Sequence, residues 1–172
     1  LKRPVVVTSG IDNSIVHLLY LKSEPGFVPT DPQPDRGFIW YARSSDGMQT
    51  WEVNQQFSEI GPDHYLAFTI GAYCWSEPKG NTIAFVAGDY LTDLVLMKSP
   101  DGGDTWQKTI IWQHPYPNLE FFSVNTDTFY CNNGSMSIAL DSFQNAHLTF
   151  GINYVMSHLE PSPLWYFPEV GG

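Results

Sequence analysis

The chain has 172 residues, of which 42% are hydrophobic and 15% aromatic, so a packed core is expected and disorder is excluded. Its formal charge is −10, and its 8 Lys and Arg are dispersed; a nucleic-acid groove, which needs clustered cations against phosphate, is excluded, and an anionic membrane surface is disfavoured. No apolar run approaches the length that spans a bilayer; the run at 82–87 is typical.

The 14 glycines and 13 prolines are spread along the whole chain, and no window of ten residues carries a helical period. This punctuation predicts many short strands joined by turns. In chain order the strand-like runs are 5–8, 14–21, 38–43 and 50–55, then 65–75, 82–87, 94–98 and 105–113, then 135–140 and 146–154. A further run at 164–167 extends the last group. Each run is short and rich in β-branched or aromatic residues, and Gly, Pro, Asn or Asp separates it from the next.

Two octets stand out. Residues 99–106 read Ser99-Pro100-Asp101-Gly102-Gly103-Asp104-Thr105-Trp106, and residues 44–51 read Ser44-Ser45-Asp46-Gly47-Met48-Gln49-Thr50-Trp51. Trp51 and Trp106 are 55 residues apart, a period that points to a propeller or a solenoid. In each octet Asp and Ser can accept hydrogen bonds from turn N–H groups, glycine permits positive φ, and Thr-Trp leads back into a strand. Asp46 and Asp101 are therefore expected to form turns rather than to act as catalytic acids.

The second octet fits the pattern S-x-D-x-G-x-T-W and resembles the Asp-box of sialidases and related BNR-repeat propellers. The first departs from it, with Gly47 one place early and Met48 where glycine is usual. The resemblance implies an all-β fold of β-propeller blades, each of four antiparallel strands. It groups the runs into blade one at 5–56, blade two at 65–113 and a partial blade three from 135 to 172. Ser44, Asp46, Gly47, Thr50 and Trp51, with Ser99, Asp101, Gly103, Thr105 and Trp106, would be structural box residues. Ser135 to Leu140, then Asp141 and the His147 strand, repeats the order seen at Val5 to Thr8 and the His17 strand. A closed ring takes four to eight blades, so about two and a half leave it incomplete. The chain is accordingly expected to be a fragment whose ring is completed by other blades of the same or another chain. The start at Leu1 rather than Met fits a processed or cut end, with any targeting segment lying outside this stretch.

Propeller topology places the boxes and the short turns 9–13, 76–81 and 141–145 on one face. The longer connections 22–37, 57–64, 88–93, 114–134 and 156–163 lie on the other, where binding is expected. Candidate ligand-face residues there are Asp63, His64, Asp89, Tyr90, Asp93, Tyr116 and Glu120. The bland alternative is that these loops only pack between blades. A glycosidase would need two carboxyl groups about 5 to 9.5 Å apart, and the sequence designates no pair. The resemblance also implies three substrate-clamping arginines in an active sialidase. Here only Arg3, Arg36 and Arg43 occur, Arg3-Pro4 matches the family's arginine motif only in part, and Arg43 adjoins a box on the other face.

His17 and His147 occupy matching positions and read as a repeated packing site. No metal-ligand spacing is present, and no cofactor is expected. Cys74 and Cys131 are open to a disulfide or to two buried thiols, and Asn133-Gly134-Ser135 is a glycosylation sequon. The expectation is a secreted or cell-surface module that binds a protein or a glycan, with no nucleic acid and no direct membrane insertion. The alternative is a glycoside hydrolase of the sialidase-like superfamily with catalytic residues partly outside this segment.

Overall fold

The computed structural model describes residues 2–23, 36–116 and 125–157. Within them the protein is all-β and antiparallel throughout. Sheet one runs β1 (Lys2–Ser9), β2 (Ile15–Lys22), β3 (Arg36–Ser44) and β4 (Val53–Gln56), and the short β5 (Phe68–Thr69) pairs with the start of β3. Sheet two runs β6 (Tyr73–Trp75), β7 (Ile83–Ala87), β8 (Leu94–Ser99) and β9 (Gln107–Trp112). The third element is the hairpin of β10 (Phe129–Leu140) and β11 (Ala146–Val155). Sheets one and two are blade-like meanders of four sequential strands, and the described sheets close no barrel. The candidate strand at 164–167 lies outside the described residues.

Side-chain alternation decides how the sheets stack. Strands β7 and β8 are buried nearly from end to end, unlike a strand with one wet face. Ile83, Phe85, Ala87, Val95 and Met97 point one way, into a core shared with Leu19, Leu21, Ile39 and Tyr41 of sheet one. Ala84, Val86, Leu94 and Leu96 point the other way, against Ile138 and Leu140 of the hairpin, with Leu148 and Phe150 packed alongside. Sheet two is thus sandwiched face to face between its neighbours, as the two-sided apolar runs of its central strands demand.

Strands β4 and β9 begin at Val53 and Gln107 rather than at 50 and 105, because the octet turns extend through Thr50 and Thr105, and two elements differ further from the sequence expectation. The run 65–75 does not form one strand: residues 68–69 cross to sheet one, and only 73–75 join sheet two. The break falls at Gly71, whose φ is +85°, and the Asp89 carboxylate takes the Thr69 N–H. The third element starts at Phe129, six residues before the expected 135, and a bulge between Asn132 and Met136 lets the hairpin run on past it. Gly134, at φ +80°, turns the bulge with open space around it.

Candidate functional site

The octets form the turns β3–β4 and β8–β9, and their hydrogen bonds match atom for atom. In the first, the Ser44 hydroxyl donates to Asp46 Oδ1 at 2.8 Å and accepts the Met48 N–H at 2.9 Å. Asp46 Oδ1 accepts the Thr50 N–H at 2.9 Å, and Oδ2 accepts the Thr50 hydroxyl at 2.6 Å. In the second, Ser99 donates to Asp101 Oδ1 at 2.8 Å and accepts the Gly103 N–H at 2.7 Å. Asp101 then accepts the Thr105 N–H at 2.9 Å and the Thr105 hydroxyl at 2.6 Å. The Thr50 and Thr105 hydroxyls, followed by their N–H groups, hold the two carboxyls down at about 2. Each carboxylate is occupied by its own turn.

The octets differ in their surroundings. Gly47 and Met48 have φ of +71° and +69°, and Gly102 and Gly103 have +72° and +96°, so both turns place two successive residues in the left-handed region. Gly103 must be glycine for a second reason. A Cβ there would overlap the Tyr41 hydroxyl and lie 2.7 Å from the ring carbon that bears it. Trp106 packs beside it, with ring centroids 5.2 Å from Tyr41, 5.1 Å from Phe57 and 5.5 Å from Phe85. Met48 and Trp51, their counterparts in the first octet, are 56% and 37% exposed.

A polar seam runs beside the second octet, joining it to sheet one. His17, fully buried, is within 2.7 Å of the Ser9 hydroxyl at Nε2 and 2.9 Å of the Tyr41 hydroxyl at Nδ1. Arg43 donates to the Gly102 carbonyl at 3.0 Å and to Asp104 at 2.6 Å, and its Nε lies 3.4 Å from Glu52. Burial first, then the Arg43 charge, lowers His17 to about 4, so the ring is neutral at pH 7. Burial likewise raises the Tyr41 phenol. Sequence reasoning found His17 by its repeat with His147, and the two differ in setting: His147 is exposed and meets Asp141 at 3.1 Å. The partners of His17 on other strands were not signalled by any local pattern.

On the opposite end, the candidate ligand-face residues divide into two groups. Asp89 and Asp93 are buried and committed to the loops themselves. The Asp89 carboxylate accepts the Thr69 N–H at 2.7 Å and the Leu91 N–H at 2.9 Å. Asp93 accepts the Tyr65 hydroxyl at 2.8 Å and the His114 N–H at 2.7 Å. His114 Nδ1 accepts the Tyr116 N–H at 2.9 Å, which assigns the ring proton to Nε2, 3.0 Å from the Tyr90 carbonyl. Burial lowers its pKa. Asn132 reaches across from the hairpin and donates to the carbonyls of Asp89 and Thr92 at 2.7 and 3.2 Å. Tyr90 is half-buried beside the small cluster of Leu91, Phe129, Cys131 and Val155. Asp63, His64 and Tyr116 are exposed, and Tyr116 rests edge-on against Phe129 at 5.1 Å. Glu120 lies outside the described residues.

Cys74 and Cys131 are free thiols. Burial raises both, Cys131 to about 12, which leaves them protonated and unreactive. Among the described residues no group of three or more His, Cys, Asp or Glu could hold a metal ion, and no helix is long and apolar enough to cross a membrane. No family model matches the chain, and neither a curated protein nor a solved structure matches it.

Proposed function

We propose that this chain supplies blades of an Asp-box β-propeller outside the cytoplasm, and that its loop end binds a protein or a glycan. The observation that carries the reading is the pair of octets. Two turns 55 residues apart share one hydrogen-bond set and one place in their sheets. Stacking of sheet two between two neighbours gives further support, since face-to-face burial is how blades of a ring meet. Further blades, from the same chain or another, complete the ring in this reading. The exported location rests on the acidic balance of the chain.

Binding is favoured over glycoside hydrolysis by what the carboxylates already do. Asp46 and Asp101 hold their octets, while Asp89 and Asp93 hold the loops. Most glycoside hydrolases need two carboxyls that face substrate. The surface left for a ligand at the loop end includes Asp63, His64 and Tyr116, with carboxylate, imidazole and phenol groups suited to hydroxyl and amide partners. Screening the chain on glycan and protein arrays tests the reading. Binding that weakens at least tenfold in a D63A/H64A/Y116A variant with an unchanged melting curve is the expected result. Turnover of chromogenic glycosides that disappears on removing one loop-end carboxylate would overturn it.

A further inference from the structure

The seam between sheets one and two contains a titratable group that water cannot reach. His17 sits on β2 with no exposed surface. Its ring is stacked near-parallel to Tyr41, with centroids 6.1 Å apart, and meets Trp75 of sheet two edge-on at 6.3 Å. Both ring nitrogens have a hydroxyl partner, and the neutral ring fits them in either tautomer. With the proton on Nδ1, Ser9 donates to Nε2, Nδ1–H donates to the Tyr41 oxygen, and the Tyr41 hydroxyl points at the Gly102 carbonyl 3.5 Å away. This tautomer makes one directed chain from β1 through β2 and β3 to the octet of sheet two. The opposite tautomer would engage the Tyr41 proton at His17 and leave Gly102 to Arg43 alone.

We propose that the seam is an acid-sensitive latch, in which protonation of His17 drives sheet one away from the second octet. The imidazolium could still donate at both nitrogens, so its hydrogen bonds are not what fails. The charge is the difficulty. The groups facing the ring are Ser9 from β1, Tyr41 and Arg43 from β3, and Trp75 from β6. None is a carboxylate, and Arg43 is a like charge. The nearby acids are already engaged, Asp104 and Glu52 with Arg43 and Asp101 with Thr105. Water is therefore the best partner available to the cation, and parting Tyr41 and Arg43 from residues 102–104 would admit it. The fall of His17 from 6.5 to about 4 sets the size of the effect. The closed seam loses about 80-fold in its equilibrium against the open one between pH 6.5 and pH 4, and about 300-fold over the whole titration.

The test follows the His17 ring protons by NMR from pH 7.5 to pH 3.5 in the intact chain, with tryptophan fluorescence recorded in parallel. The expected result is a titration well below pH 6, accompanied by a fluorescence change as Trp75 and Trp106 become exposed while backbone strand content persists. In H17Q the fluorescence transition between pH 6.5 and pH 4 should vanish, and in H147Q it should remain. A His17 midpoint near 6.5 in the wild-type chain would overturn the latch. So would a titration with no fluorescence change, or an unaltered transition in a folded H17Q. The wild-type titration decides the matter even where H17Q does not fold.

Discussion

Replacing Gly103 by alanine should be far more damaging than the size of one methyl group suggests. Two costs combine. The residue holds φ +96°, where an L side chain is strained by about 1–2 kcal/mol. The new Cβ would also overlap the Tyr41 hydroxyl, and Tyr41 has no free direction in which to move. It is fully buried between His17, Phe57, Trp75 and Trp106. Overpacking of this kind costs about 1–3 kcal/mol, so G103A should lose about 2–5 kcal/mol in urea unfolding. The first octet provides the internal control. Met48 already occupies the left-handed region at φ +69°, and it is exposed. There M48G exchanges relief of local strain against greater freedom of the unfolded chain, and the net change should stay within about 1 kcal/mol. The two positions share a local turn, and beyond the backbone strain it is the Tyr41 contact that separates them. A G103A variant as stable as the wild type, or an M48G variant as unstable as G103A, would refute the packing of sheet one against the second octet.

Asp101→Ala removes the acceptor for both Thr105 donors and should cost about 1–2 kcal/mol by urea unfolding, and Asp46→Ala in the first octet should lower the urea midpoint in the same direction. Asp93→Ala strands the buried Tyr65 hydroxyl and the His114 N–H, so thermal denaturation should show a loss of about 2–4 kcal/mol, the mark of a loop staple. Stability should fall with acid in two steps. His17 is lower in the folded chain than in the unfolded one, so its contribution is complete above pH 6.5 and declines towards pH 4, by about 3 kcal/mol in all. Asp46 and Asp101 are also lowered, so their contributions are complete above about pH 4 and are lost as pH falls through about 2. Urea midpoints measured from pH 8 to pH 2 check both windows, and a midpoint that rises on acidification from pH 6.5 to pH 4 would contradict the first.

The strand pattern and the octet turns were legible because both depend on near neighbours. Within seven residues each octet contains every group that these turn bonds use, from the Ser, Asp and Thr side chains and the backbone between them, so the turns were legible from local spacing. The 65–75 run misled because its composition suits a strand while Gly71 and the distant Asp89 carboxylate redirect the chain. Asp89 and Asp93 looked like ligand-face acids because a loop acid carries no local sign of burial. Their partners Thr69, Tyr65 and His114 lie 20 to 28 residues away. The His17 seam was hidden for the same reason, since Tyr41 is 24 residues along the chain from His17, and Gly102 a further 61. The glycine at 103 was explicable as a turn former from sequence, but its need to admit Tyr41 was not.

The second octet is the point at which sheet one is pinned to sheet two. A nuclear Overhauser contact between the Tyr41 ring protons and the Gly103 α protons measures this directly in solution at pH 7.5. A strong cross-peak is expected there, and its absence in a folded sample with both strand sets intact would contradict this packing.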